Sequence, residues 1–278
     1  MIVLERVIWY KAGDVFHIYT SGDEHFGTLA CQEHLIVDQY NRIANDPFGL
    51  YIGMGDKGEY ITPTDKRWEQ ELISPWVERD RIAYTQARRF IEVAKPIRDG
   101  RLPYSGDSKM LGLHSGNHED SYGKLGADNI HRTICEELNV PSLGRTAITR
   151  ISWREINGNT TWSMLIRSSH PDVGAVTEAG KKKKLLDTMK NWPTCDIVVM
   201  GHMHSVETAE ITYKDLNKAG HIVDRDRAGA VTGCWYETYL EGAETGYGER
   251  KEYSPSKLGC PVFKINPAKR QIRVTRAY

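Results

Sequence analysis

Apolar positions along the chain recur at two spacings, and the switches between them mark out the elements. Residues 3–10 and 15–20 are β-branched and aromatic runs that predict two strands, and Lys11-Ala12-Gly13-Asp14 between them predicts a hairpin turn. Over residues 28–44, Leu29, Ile36, Tyr40 and Ile43 fall at helical spacing, and Pro47 closes the segment. The short run 50–54 predicts a buried strand. Ser74-Pro75 supplies a cap and a first-turn proline for a helix reaching Ile97, with Ala83, Ala87, Phe90, Ile91 and Ala94 along its apolar stripe. Residues 109–114 predict a strand, and Ala127, Ile130, Ile134 and Leu138 predict a helix over 127–138. Two further strands flank Asn157-Gly158-Asn159, a lysine-headed helix runs to about Trp192, and 197–200 is another short strand. Residues 210–278 are strand-rich, with Asn266-Pro267 as a late turn. Alternating strands and helices followed by more strands predict a layered α/β sandwich with mixed sheets. The whole chain, 1–278, reads as one domain, and the charged, aromatic segment 59–107 reads as a helical insertion.

Composition narrows the class of protein. Hydrophobic residues make up 40% of the 278 and charged residues 27%, which excludes wholesale disorder. No apolar run approaches the roughly 18 residues of a membrane span. Glu5 and Arg6 interrupt the first apolar stretch, so the start reads as a strand and not as a signal peptide. The 37 basic and 37 acidic side chains cancel, which disfavours a strongly basic protein that coats a duplex. Cys31, Cys135, Cys195, Cys234 and Cys260 are widely spread and form no CxxC pair. They suggest neither a zinc ribbon nor a disulfide framework, and a reducing cytoplasm is the simplest reading.

The candidate chemistry lies just after the predicted strands, where open α/β sheets place their sites. Gly22-Asp23-Glu24-His25 follows the strand at 15–20, and Gly55-Asp56 follows 50–54. Gly116-Asn117-His118-Glu119 follows 109–114, His170 ends the strand at 161–169, and Gly201-His202-Met203-His204 follows 197–200. Each cluster alone is a weak signal, but five recur in the same position, four of them led by glycine. Mixed imidazole and carboxylate ligands suit Mn, Fe, Zn or Ni better than an all-oxygen calcium site. The set exceeds one tetrahedral zinc and suffices for two ions sharing a carboxylate, an arrangement that clamps in-line displacement at phosphorus.

The order D-x-H, GD, GNHE, H, GHMH over residues 23–204 resembles the calcineurin-like metallophosphoesterase superfamily, and the wider layout resembles its compact members often encoded by bacteriophages. The resemblance implies a four-layer α-β-β-α sandwich of two mixed sheets and a dinuclear phosphoesterase, in the first place a phosphodiesterase. It implies two divalent ions, Mn first, with Fe, Zn, Ni or Mg as alternatives, and a hydroxide between them as nucleophile. Asp23, His25 and His204 would hold one ion, Asn117, His170 and His202 the other, with Asp56 bridging. His118 would assist the leaving group. The family often places a carboxylate three residues after the bridging aspartate, aimed at that histidine; here the position is Glu59, one methylene longer than Asp. Pro171 stands where glycine is common.

Other groups read differently. His17, His34, His114 and His131 lie inside predicted strands and helices and read as structural. Glu24 and Glu119 adjoin ligands and could support imidazole N–H groups. Lys181-Lys182-Lys183-Lys184 could draw a phosphate chain, although four consecutive residues cover all sides of a helical turn, and a solvated helix start is the plainer reading. Tyr236, Tyr239 and Tyr247 could stack on a base. The motif at Asp56 lacks the arginine of protein serine/threonine phosphatases. An Mre11-like DNA exonuclease and a phosphoesterase-fold interaction module without chemistry are the alternatives, with a nucleotide or single-stranded nucleic acid as possible substrate or partner. Oligomeric state is not legible.

Overall fold

A computed structural model describes residues 1–277 except 66, 125–128, 159–160, 217–218 and 243–246, together with the backbone but not the side chain of Tyr247. In chain order the elements are β1 (Ile2–Tyr10), β2 (Phe16–Ser21), α1 (Glu33–Asn45), β3 (Gly49–Gly53), α2 (Ile82–Asp99) and β4 (Met110–His114). Next come α3 (Asn117–Gly123), α4 (Ile130–Leu138), β5 (Ser142–Gly144), β6 (Thr146–Glu155), β7 (Thr161–Ser169), α5 (Glu178–Asn191) and β8 (Ile197–Met200). The last are β9 (Glu207–Leu216), β10 (Ile222–Val231), α6 (Tyr247–Arg250), β11 (Pro261–Asn266) and β12 (Gln271–Arg276).

Among the described residues the strands form two six-stranded sheets, ordered β1-β6-β7-β8-β10-β9 and β12-β11-β2-β3-β4-β5. Both are mixed. In the first, β7, β8 and β10 run parallel, β9 opposes β10, and β6 opposes β7 while running parallel to β1. In the second, β2 to β5 run parallel and β11 opposes both β2 and β12. Alternate residues of the sheets meet face to face: Phe16, Ile18, Leu50 and Ile52 from one, Trp153, Ile166, Ile197 and Val199 from the other, all buried. The helices cover the outer faces. Ile36, Tyr40 and Ile43 of α1, Phe90, Ile91 and Ile97 of α2, and Ile134 and Leu138 of α4 pack on the second sheet. Leu185 and Met189 of α5 pack on Val198, Met200 and Val231 of the first. The result is the four-layer α-β-β-α sandwich. Among the described residues no helix is long and apolar enough to cross a membrane.

Three local expectations differ. The predicted hairpin does not form: β1 pairs in parallel with β6, and β2 enters the other sheet. The turn itself is present, with the Asp14 amide on the Lys11 carbonyl at 3.1 Å. It is a corner between layers, because Tyr10 and Phe16 both turn into the core between the sheets. The first helix begins at Glu33, not 28, since Thr28 and Cys31 commit their backbone to bridges with Ile73 and Tyr236. The long helix begins at Ile82 rather than at Ser74-Pro75, where the Ser74 amide bonds the Gly27 carbonyl and the Val77 amide folds back on Ser74. Its apolar stripe is buried as expected, against α1 and α4. The expected start of the 127–138 helix at Ala127 and the turn residue Asn159 lie outside the described residues. Helix α3, opened by the GNHE motif, is an element that periodicity did not reveal because it spans only seven residues.

Candidate metal centre

All five clusters emerge at the carboxyl ends of strands that run parallel to a neighbour: β2, β3 and β4 in one sheet, β7 and β8 in the other. The loops are then laced by backbone. The Asp23 amide bonds the Gly55 carbonyl at 2.8 Å, the His25 amide bonds the Asp56 carbonyl at 3.1 Å, and the Gly201 amide bonds the Ser169 carbonyl at 2.9 Å. Two of the leading glycines are required by this closeness. A Cβ on Gly116 would collide with the Asp56 carboxylate, and Gly55 has φ +98°. Asp23, His25, Asp56, His202 and His204 themselves occupy the left-handed region, with φ of 53°, 52°, 53°, 77° and 47°. Each such position costs about 1–3 kcal/mol, and strain of this kind collects at functional sites.

The result is three overlapping groups of donors, each within 4.8 Å: Asp23, His25 and His204; His25, Asp56 and His118; Asp56, His170 and His202. His25 and Asp56 are the shared members. Asn117 joins the third group, its Oδ1 3.2 Å from His170 Nε2. Asp56 Oδ2 lies 3.1 Å from the same nitrogen. All seven predicted ligand residues are therefore brought together, and His118 stands beside them.

The rings are oriented from behind. His170 Nδ1 donates to the Met54 carbonyl at 2.7 Å, His118 Nδ1 to the Glu59 carbonyl at 2.6 Å, and His25 Nδ1 to the Glu59 carboxylate at 2.7 Å. Each leaves its Nε2 facing the cluster. Glu59 thus serves His118 through its backbone and not through its side chain, whose nearest oxygen is 4.0 Å from His118 Nδ1. The expected carboxylate pairing falls instead on His25. The extra methylene lets the Glu59 carboxylate reach past His118.

What faces inward is rich in acceptors. His25 Nε2 and His204 Nε2 are 3.3 Å apart. Asp23 Oδ1 is buried without a properly directed hydrogen bond, although His204 Nε2 lies 3.2 Å away. Burial opposes protonation of His25, yet Glu59, Asp56 and Asp23 outweigh it and push its pKa up to about 9. Burial likewise opposes His170, and Asp56 lifts it to about 9. Burial works against ionisation of Glu59 too, but His118 and His25 pull it down to about 2. Converging lone pairs and carboxylates of this kind fit divalent cations, which would replace the protons the imidazoles otherwise gather.

The remaining candidates separate cleanly. Glu119 accepts from the amides of Gly116, Asp56 and Lys57 and from Lys57 Nζ, and from no imidazole. Glu24 accepts from Tyr40 and Ser21. Neither supports a histidine ring. His17 bonds Asp46, His114 bonds Ser168 and Gly144, His131 bonds Ser142, and His34 is exposed. A pocket of about 450 Å³ opens beside the donors, and Arg67, Lys181 and Tyr236 line it. The Tyr236 ring lies 5.6 Å from that of His25, whereas Tyr239 is outside the lining, its hydroxyl on the Tyr253 carbonyl. The side chain of Tyr247 is outside the described residues.

Sequence reasoning missed Arg67. Asp65 grips its guanidinium through Nε at 3.1 Å and Nη2 at 2.7 Å, leaving Nη1 3.4 Å from His118 Nε2. One arginine in a charged stretch carries no mark in the sequence that would single it out. Lys57 was missed as well; a lysine buried to 1% exposure between two motif loops is invisible until those loops meet.

No family model matches the sequence, and no curated protein does. Among solved structures, the chain is similar to a conserved uncharacterised protein of Streptococcus pneumoniae, a predicted phosphoesterase, at 10% identity and a TM-score of 0.36, over 95% of this chain and 99% of that one. It is also similar to GAP50, the anchor in the inner membrane complex of Plasmodium, at 8% identity and a TM-score of 0.48, over 94% of this chain and 84% of that one.

Proposed function

We propose that the protein is a dinuclear, metal-dependent phosphoesterase of the calcineurin-like kind, acting first on phosphodiesters. The observation that carries this reading is the chain of three donor groups joined through His25 and Asp56. Asp23, His25 and His204 would hold one ion and Asn117, His170 and His202 the other, with Asp56 between them. Imidazole, carboxylate and amide donors in these proportions suit Mn, and they also accommodate Fe, Zn or Ni. When bound, the pair supplies Lewis acidity toward a phosphoryl oxygen and lowers the pKa of an attacking water.

The chain's own residues do the rest. His118, fixed through Nδ1 on the Glu59 carbonyl, presents Nε2 to the pocket, where it can hand a proton to the leaving oxygen. Arg67 Nη1 faces the same atom and places fixed positive charge where negative charge grows on the leaving group. The Glu59 carboxylate holds the His25 ring in one tautomer.

The test is hydrolysis of bis-p-nitrophenyl phosphate, p-nitrophenyl phosphate and single-stranded DNA by Mn-loaded protein, with elemental analysis of the same sample. Two ions per chain and turnover of the diester are expected. A single ion at saturation, or no turnover of any of the three, overturns the proposal.

A further inference from the structure

One cation in the pocket has no task in the reaction above. Lys181 is only 7% exposed, lies in the first turn of α5 and lines the pocket together with Gly174, Ala175 and Val176. Its ammonium has no hydrogen-bond or ion-pair partner among the described residues. The two nearby carboxylates are occupied: Glu178 and Glu207 lie 2.7 and 3.1 Å from Lys257 Nζ, and Ser205 Oγ approaches both. Its neighbours in the lysine run are turned elsewhere, Lys182 to the Thr208 carbonyl and Lys183 to Asp187. Of the four lysines, Lys181 alone is buried. The charge of Arg67, by contrast, is committed to Asp65 and to Nε2 of His118.

Glu178 and Glu207 are the nearby opposite charges, but both are shared with Lys257 and neither pairs directly with Lys181, so an anion entering the pocket would give its ammonium the direct partner it lacks. The amino end of α5 points the same way. Lys181 projects back toward the helix start, as helical side chains do, so its charge adds to the positive end of the helix dipole. Tyr236, whose ring lies 5.6 Å from that of His25, lines the same pocket and gives an organic linker a surface to lie on.

We propose that Lys181 and the start of α5 form a subsite for a second phosphate, so that the substrate carries one phosphoryl group beyond the one that is cleaved. This rests on the phosphoesterase reading. Two sources share that chemistry, the terminal phosphate of a short oligonucleotide and the outer phosphate of a nucleoside diphosphate.

The experiment compares TpT with pTpT, and TMP with TDP, as ligands of wild-type, Lys181→Met and Lys181→Arg protein. KM is read where turnover occurs. Kd is read by calorimetry on the His118→Ala background, so that binding is judged without turnover. Wild type should favour the member with the extra phosphate by about tenfold in at least one pair, and that pair identifies the source. Lys181→Met should bring the ratio to about one, and Lys181→Arg should restore most of it. Lys181→Met should also hold or raise Tm, because it removes a charge that is largely desolvated and has no direct partner. A lysine that only held Glu178 or Glu207 in place would lower Tm and leave the ratio alone, which would overturn the inference. Turnover of bis-p-nitrophenyl phosphate with no preference in either pair overturns the subsite and leaves the phosphoesterase reading standing. Absence of all turnover strikes that reading, while the binding arm still decides the subsite.

Discussion

Lys57 Nζ and Glu119 Oε1 lie 2.7 Å apart with both side chains 1% exposed, and this pair fastens the loop after β3 to the start of α3. The ammonium also donates to the His114 carbonyl at 2.8 Å. The carboxylate takes the amides of Gly116 at 2.8 Å, Asp56 at 3.1 Å and Lys57 at 3.0 Å. Nearly every lone pair and proton of the ion pair is used, which is the condition under which a buried pair is tolerated. Removing one partner strands the other. Lys57→Met and Glu119→Gln should each destabilise the fold by about 3–5 kcal/mol in urea titrations. The double variant should lose clearly less than the sum of the two, and additivity would show that the pair does not act as a unit.

His118→Ala should retain both metals and lose about 10²–10⁴ in turnover, the scale of a positioned proton donor. The deficit should shrink for esters whose leaving oxygen needs no proton. Loss of metal from this variant, read by elemental analysis, would place His118 among the ligands.

Glu59→Gln should act on metal affinity more than on the orientation of His118. The carboxylate bonds His25 Nδ1, while His118 is held by the backbone carbonyl that glutamine keeps. Outer partners of metal-binding histidines are typically worth 10–100-fold in affinity. Competition with a chelator should reveal a loss of that size, and turnover at saturating metal should fall much less.

Acid should destabilise the fold through His131. Burial holds this histidine, whose Nε2 is 2.8 Å from Ser142 Oγ, neutral in the native state with its pKa pulled from 6.5 down to about 2. Unfolded, it binds a proton below about 6.5 while the folded chain does not. Stability is therefore complete above that pH and declines as pH falls from about 6.5 toward 2. His131→Asn should flatten this part of the profile of urea midpoint against pH. An unchanged slope would mean that other groups carry it.

Much of the layer structure was legible because it follows periodicity. Phe90, Ile91 and Ile97 mark a helix face whether or not the sheet beneath it is known. The donor residues were legible because glycine-led clusters after strands are local patterns. What could not be read depends on contacts distant in sequence. Nothing near Lys11–Asp14 says that β1 and β2 part company, since a corner and a hairpin use the same turn residues. Glu59 is three residues from Asp56, but whether its carboxylate meets His118 or His25 is decided by the path of the loop after β2. Arg67 owes its place to Asp65, and no rule separates that arginine from the exposed Arg79 or Arg81.

The division of the donors between layers has a consequence for how the site comes into being. Asp23, His25, Asp56, Asn117 and His118 hang from one sheet, and His170, His202 and His204 from the other. Neither half is a site. One sheet alone offers only His25, Asp56 and His118 together, and the other two donor groups arise when the sheets close, with Phe16 against Trp153 across the core, rings 4.8 Å apart. A cation held between the halves would act as a clasp on the sandwich itself, adding to the polar contacts that already cross at that end, His170 to the Met54 carbonyl and the His202 amide to Asp23. Trimming Trp153 should therefore weaken metal retention from the far side of the core, without touching a single ligand.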